Sequence, residues 1–436
     1  MRSIFVTILC ATLLVGCSKS DSSSSSSTGE KSITVWWAEW APSKGLRELG
    51  QDFTKETGIK VTVNEIPWSS YQDQVFQNFA LTQTDFDIVV GDSQWIGKCA
   101  TNKLYVDLSD WLPANVDMKT VHPVALQYLC SYPAGSTKYF AAPCETDAVG
   151  FVYRKDWFAD PKEKEAFKAK FKRELAVPKT WEEFRDVADF FTRRQEKRYG
   201  CAILSGREYD SIVMGLQQFI WDWGGSWGDP KMMKVEGVLN TTDSTKGLNV
   251  AKELMSFSPQ GGTNFSYDKT IEAMKNGSVA MAMDYFAFFP DISKAMGDKV
   301  GFFVVPGHDG KQFISLGGQG MSISTKVPAD RQENAKKFIA WFLKTENQKK
   351  WITKEAGFTA NTEILRSDAF RNATPYNAAF ADSLDHLRDF WNVPSYNELL
   401  AAAVRELGQA LDGKDAKAAL DDLAKAHEQI LKESGN

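Results

Sequence analysis

Between Lys31 and Asp92 the hydrophobic period of the chain switches four times. "KSITVWW" carries Ile33, Val35 and Trp37 at alternate positions, the pattern of a strand. Leu46, Leu49 and Phe53 then recur at helical spacing from Ser43 to Thr57, and Gly58 stops that helix. "GIKVTVNEI" reads as a second strand, "SSYQDQVFQNFAL" as a second helix and "DFDIVVGD" as a third strand. Strands joined through single helices need crossover connections. This stretch therefore predicts a parallel sheet with right-handed crossovers.

The same logic extends further along the chain. "PKTWEEF" predicts a capping box, with Thr180 as N-cap and Glu183 at N3 ahead of Phe184, Val187 and Phe191. "KEKEAFKAKFKREL" is a solvated helix face. "YDKTIEAMKNG" is a helix closed by Gly277. "SVAMAMDY", "KVGFFVVPG" and "GQGMSIST" are strands. Ala335, Phe338, Ile339, Phe342 and Leu343 give the core stripe of a helix within 329–352, and Tyr396 to Lys432 is helical. About 400 residues follow position 30, too many for one core, so two lobes are expected.

The first thirty residues read as an address. Arg2 precedes an apolar run from Ile4 to Gly16. Such a helix reaches only about 20 Å against the roughly 30 Å of a bilayer core, so residues 1–16 are a signal segment rather than a span. Leu14-Val15-Gly16-Cys17 resembles the bacterial lipobox, which implies lipidation of Cys17. Residues 17–30 then form a Ser-rich tether that buries nothing. Ser18 after the lipidated cysteine leaves either membrane leaflet open. No later segment is apolar enough to span.

Charged residues make up 25% and hydrophobic ones 43%, the balance of a soluble globular chain. A net charge of -5 argues against nucleic acid as a partner. Cys99, Cys130, Cys144 and Cys201 remain after Cys10 and Cys17 are set aside. Their spacing contains no CxxC, so zinc and thioredoxin-type chemistry lack support. Outside the cytoplasm they could form up to two disulfides in any of three pairings, or stay as free buried thiols. His122, His308, His386 and His427 fall in no metal spacing, so no metal and no cofactor are expected.

Gly224-Gly225-Ser226-Trp227-Gly228 matches the letters of a nucleophile elbow. That motif needs a strand before the serine and a helix after it. Here a helical segment precedes it and Asp229-Pro230 follows, so no catalytic serine is expected. Fourteen tryptophans are many for this length. Trp36, Trp37, Trp40, Trp95, Trp221, Trp223 and Trp227 fall near strand ends, as do Tyr285 and Phe286. Trp181, Trp341 and Trp351 fall on helices and read as packing. In open α/β sheets ligands bind beyond the carboxyl ends of strands. Flat rings beside acids and amides there suit a ligand with apolar C–H faces and hydroxyl edges, which describes a sugar.

Eight segments in order complete the picture. "ITVWWAEWAPSKGLRELGQDFTKETGIKVTV", "DFDIVVGDSQWIGKCATNKLYVDLSDWL", "KYFAAPCETDAVGFVYRKDWF", "PKTWEEFRDVADFF", "IEAMKNGSVAMAMDYF", "KVGFFVVPG", "ISLGGQGMSIST" and "AKKFIAWFLKTENQKKWI" together resemble the family 1 extracellular solute-binding proteins, receptors of carbohydrate ABC importers. The resemblance implies a two-lobed α/β periplasmic-binding-protein-like fold. Each lobe would be a mainly parallel sheet flanked by helices, with a hinge between lobes. Lobe one would take 31–144 and 299–356, and lobe two 145–298 and 357–436.

The resemblance also implies the site. Trp37, Glu39 and Trp40 would contact ligand after the first strand, and Asp92, Ser93, Gln94 and Trp95 after the third. Glu145 and Asp147 would come from the crossover, and Trp221, Trp223, Asp284 and Tyr285 from lobe two. Phe286 and Phe288 compete with Tyr285 for the same role. The Gly317-Gly318 turn would let backbone approach the ligand. The implied protein is a monomer, anchored through Cys17 on the periplasmic or extracellular face. It is no enzyme: it passes a mono- or oligosaccharide to ABC permease subunits. Two other readings share these features: an anchored glycan-acting hydrolase, and a ligand sensor for a membrane signalling partner.

Overall fold

The computed structural model describes residues 31–229, 234–354 and 357–434. The signal segment, Cys17 and the serine tether lie outside the described residues. Among the described residues no helix is long and apolar enough to cross a membrane.

The chain opens with β1 (Ser32–Ala38), α1 (Ala41–Thr57), β2 (Lys60–Ile66), α2 (Trp68–Phe79) and β3 (Ile88–Asp92). β1 pairs in parallel with both β2 and β3, as the alternating periods predict. Ile33, Val35 and Trp37 are fully buried, and α1 ends at Gly58, whose φ of 72° suits a residue without Cβ. A long strand β4 (Ala142–Arg154) follows, then α3 (Trp181–Phe191), β5 (Tyr199–Ala202), α4 (Ser211–Asp222), α5 (Thr242–Met255), α6 (Tyr267–Lys275), β6 (Val279–Tyr285) and β7 (Val300–Val304). The chain continues through β8 (Ile314–Ile323), α7 (Ala329–Phe342), α8 (Thr345–Trp351), β9 (Leu387–Arg388), α9 (Tyr396–Leu411) and α10 (Ala416–Glu433).

The strand order is β2-β1-β3-β8-β4-β6-β5, with β7 also on β4 and β9 on β8. β4 joins the two lobes. Its first half, Ala142 to Ala148, pairs with β8. Its second half, Val149 to Arg154, pairs with β6 and β7. This corrects two expectations. Lobe two is not mainly parallel: β5 and β6 are parallel, but β4 runs antiparallel to both β6 and β7. The reason is directional, because β4 enters lobe two already running outward from lobe one. Residues 300–304 also belong to the lobe-two sheet, so the chain returns to lobe one at β8 rather than at residue 299.

Local chemistry explains the helix starts. Thr180 Oγ1 accepts the Glu183 N–H at 3.2 Å. Glu183 reaches back to the N–H of Lys179 at 2.8 Å, one residue before the N-cap that a strict capping box would use. The C-terminal helices cover lobe two, α9 against α4 and α10 against α5. The four remaining cysteines are buried free thiols on separate elements, which removes the disulfide expectation. Burial raises the thiol pKa in each case, to about 12 for Cys99 and Cys201.

Candidate functional site

A cavity of about 370 Å³ lies between the lobes, where β4 and β8 cross from one to the other. Lobe one contributes the residues just past its three parallel strands: Glu39 and Trp40 after β1, Pro67 to Ser69 after β2, and Asp92 to Gln94 at the end of β3. This is the position that the carboxyl-end rule gives for parallel sheets. Lobe two contributes Glu208 and Asp210 after β5, Tyr267 and Asp268 at the start of α6, and Tyr285 and Phe288 after β6. The crossing strands supply Asp147 and the stretch Leu316 to Gln319.

Five aromatic rings form a row from one lobe to the other. Trp68 stacks on Trp40 at 6.3 Å and 19°. Trp40 meets Phe288 across the cleft at 6.3 Å, and Phe288 stacks on Tyr267 at 5.9 Å and 16°. Tyr267 then contacts Tyr285 at 5.9 Å. Ser43 fixes the loop under Trp40 by donating to the Trp40 carbonyl at 2.8 Å and to Glu65 at 2.7 Å.

Three acids are buried at the cleft. Asp92 Oδ1 accepts from Ser93 Oγ at 3.2 Å, and its Oδ2 accepts from the Tyr209 hydroxyl of lobe two at 3.1 Å. Asp147 accepts the N–H groups of Ala148 at 2.7 Å and Ala287 at 3.2 Å. Asp210 accepts the Tyr267 hydroxyl at 2.7 Å. Burial raises the pKa of all three, to about 7 for Asp147 and Asp210, while these donors pull the other way. The two glycines of β8 are required sterically. A Cβ on Gly317 would stand 2.4 Å from the Tyr285 ring, and one on Gly318 would stand 2.3 Å from the Glu145 carbonyl at a φ of 96°.

Nine of the fifteen residues expected from sequence meet here: Glu39, Trp40, Asp92, Ser93, Gln94, Asp147, Tyr285, Gly317 and Gly318. Six do not line the cavity. Trp37 is fully buried behind Trp40 and donates to Gln319 at 3.2 Å. Trp95 is fully buried against Tyr71 and Phe76 and donates to the Tyr209 hydroxyl at 3.1 Å. Glu145 is sealed inside beside Asp147, with both carboxylate oxygens unpartnered; burial, then the Asp147 charge, holds it well above the usual carboxylate range. Trp221 packs inside α4, and Trp223 stacks on His308 at 3.9 Å. Asp284 is buried against Thr270. Tyr285 and Phe288 both reach the cavity, whereas Phe286 is core.

Sequence reasoning missed Trp68, Asp210, Tyr267 and Gln319. Trp68 was findable, since it follows β2 as Trp40 follows β1. Asp210 follows β5, a four-residue strand too short to show a period. Ser226 sits after the end of α4 and donates to the Gly228 carbonyl at 3.2 Å, so the elbow geometry is absent there.

Two α/β lobes joined by crossing strands, with a cleft between them lined by rings and acids from strand ends, define a ligand-binding protein of the periplasmic type. The chain belongs to the family described as bacterial extracellular solute-binding protein, whose profile matches residues 37–349. A probable amino-acid ABC transporter periplasmic-binding protein of Sinorhizobium fredii is 23% identical over 310 residues, 68% of this chain and 65% of that one. The galactooligosaccharide-binding protein of Bacillus subtilis is 23% identical over 447 residues, 98% of this chain and 97% of that one. The crystal structure of an ABC transporter solute-binding protein from Agrobacterium radiobacter K84, in complex with ribitol, shares the fold. Its TM-score is 0.77 at 23% identity, over 92% of this chain and 98% of the other.

Proposed function

We propose that this protein is a lipid-anchored receptor that captures a small polyhydroxylated solute between its lobes and delivers it to an ABC importer. The row of rings from Trp68 to Tyr285 carries the reading. It offers stacking faces from both lobes at once, flanked by the buried acceptors Asp92, Asp147 and Asp210. A cavity of about 370 Å³ is at the small end of the roughly 300–1,000 Å³ range of ligand sites, which favours a mono- or disaccharide or an alditol. Relatives named for galactooligosaccharide and ribitol fit that class. Closure needs no chemistry: β4 near Glu145–Ala148 and β8 near Leu316–Gly318 are the hinge, and ligand held by both lobes stabilises the closed form.

Intrinsic tryptophan fluorescence, read across a panel of sugars and alditols, tests the function. A saturable response to one of them is expected. Silence across the panel, with a response to free amino acids, would refute it. Replacing Cys17 by Ser should move the protein from the membrane pellet to the soluble fraction, and a pellet that keeps it would refute the anchor.

A further inference from the structure

The charge of the cleft is one-sided. Six carboxylates line it: Glu39, Asp92, Asp147, Glu208, Asp210 and Asp268. No Lys, Arg or His lines it among the described residues, and none of the six has a basic partner there. Three are buried and three stand exposed at the mouth. Elsewhere in this protein some buried acids are matched with a base: Asp87 is paired with Arg331, and Glu163 with Arg193 and Arg198. In the cleft, six acids face one cavity with no base among its described residues.

Closure makes the imbalance worse. Asp92 belongs to lobe one and Asp210 to lobe two, and each lies close enough to Tyr285 to disfavour ionisation of its hydroxyl. Asp92 likewise disfavours ionisation of Asp210. Bringing like charges together while water is expelled costs free energy, which a bound cation relieves and which otherwise favours protons on Asp147 and Asp210. A neutral hydroxyl can donate to these oxygens but leaves the charge uncancelled.

We propose that the solute carries a protonated amine, so that the preferred ligand is an amino sugar or an aminated polyol rather than a neutral one. This rests on the carbohydrate reading above and narrows it. The rest of the lining agrees. An ammonium has three donors and no acceptor, and the buried Gln94 Oε1 is a further unpartnered acceptor at the cavity. The faces of Trp40, Trp68 and Tyr267 attract a cation as well as a C–H face. Trp40 Nε1 is an unpartnered donor and needs an oxygen, which the hydroxyls of the same ligand supply.

Calorimetry with the full mature protein tests this on matched ligands. The probes are glucosamine, glucose and N-acetylglucosamine, and the corresponding β-1,4-linked disaccharides. The amine is expected to bind at least about tenfold tighter than either neutral twin, with a preference that weakens in salt. Glu208→Gln and Asp268→Asn, both at exposed positions that leave the fold intact, should each reduce the preference about twofold, and Asp210→Asn should reduce it further. Equal or tighter binding of a neutral twin overturns the amine and leaves the carbohydrate reading standing. Binding of spermidine, with no carbohydrate bound in either form, overturns both.

Discussion

The proposed closure makes Tyr209 its latch, and the consequence can be worked out from three contacts. Tyr209 sits on lobe two, yet its hydroxyl donates to Asp92 Oδ2 at 3.1 Å and accepts from Trp95 Nε1 at 3.1 Å, both in lobe one. Its ring meets Trp68 edge-on at 5.7 Å. Tyr209→Phe keeps the ring and removes the hydroxyl. It leaves a carboxylate oxygen and an indole N–H without their partner in the closed form. A bond to a charged group contributes about 1.5–3 kcal/mol and a neutral one about 0.5–1.5. Tyr209 is only partly buried, so water recovers some of this, and about 1–2 kcal/mol is the expected loss. That converts to a Kd raised about 5- to 30-fold. Opening the cleft would separate Tyr209 from Asp92 and Trp95 and break both bonds, so on the proposed closure unfolding of the ligand-free, open protein should change by less than about 0.5 kcal/mol. Fluorescence titration and denaturant melts of the two proteins read both numbers. An unchanged Kd, or a melt weakened as much as the binding, would show that these bonds hold the fold and not the closure.

Trp95→Ala should cost about 3–5 kcal/mol of stability because the ring is fully buried, whereas Trp40→Ala should lose binding with a smaller shift in the melt. The reverse order would refute the division between core and cleft tryptophans. Gly317→Ala forces a methyl against Tyr285 and should weaken ligand binding more than tenfold at about 1–3 kcal/mol of stability; wild-type affinity would refute the packing argument. Burial raises Asp147, Asp210, Asp222 and Asp389 to about 7, so between about pH 4 and 7 the folded chain holds protons that the unfolded chain has lost. Their contribution to stability is full below about pH 4 and lost as pH rises through 7. His427, lowered to about 4, opposes this as a single group, so melts at pH 5 should exceed those at pH 7.5; a rise instead would refute the burial of these acids. The chain from Ser18 onward, denatured without reductant, should titrate four thiols, and two or none would restore the disulfides.

The strand and helix order of lobe one was legible because its periods are long and clean, from Ile33 through Val90. The antiparallel pairing of β4 was not, since an apolar run such as "AVGFV" is compatible with either direction. The acids of the cleft were legible in part. Asp92 follows a strand with a clear pattern, whereas Asp210 follows one of four residues and carries no local mark.

The tryptophans separate what a sequence can specify from what only register decides. Trp36, Trp37 and Trp40 all stand at the end of β1, and sequence treats them alike. In the sheet, Trp37 is still in register with Glu65 of β2, so its side chain is fixed to the face that alternation assigns, which is core. Trp40 lies two residues beyond the last pair, at Ala38 and Ile66, and is free to turn into the cleft. Trp95 passes the end of β3 as well, but Tyr71 and Phe76 of α2 offer its ring a dry surface, and it turns back onto them. Being past a strand end is therefore necessary for reaching the ligand and insufficient. The second condition is that no helix behind the loop claims the ring, and that condition belongs to packing between elements, which no local pattern encodes.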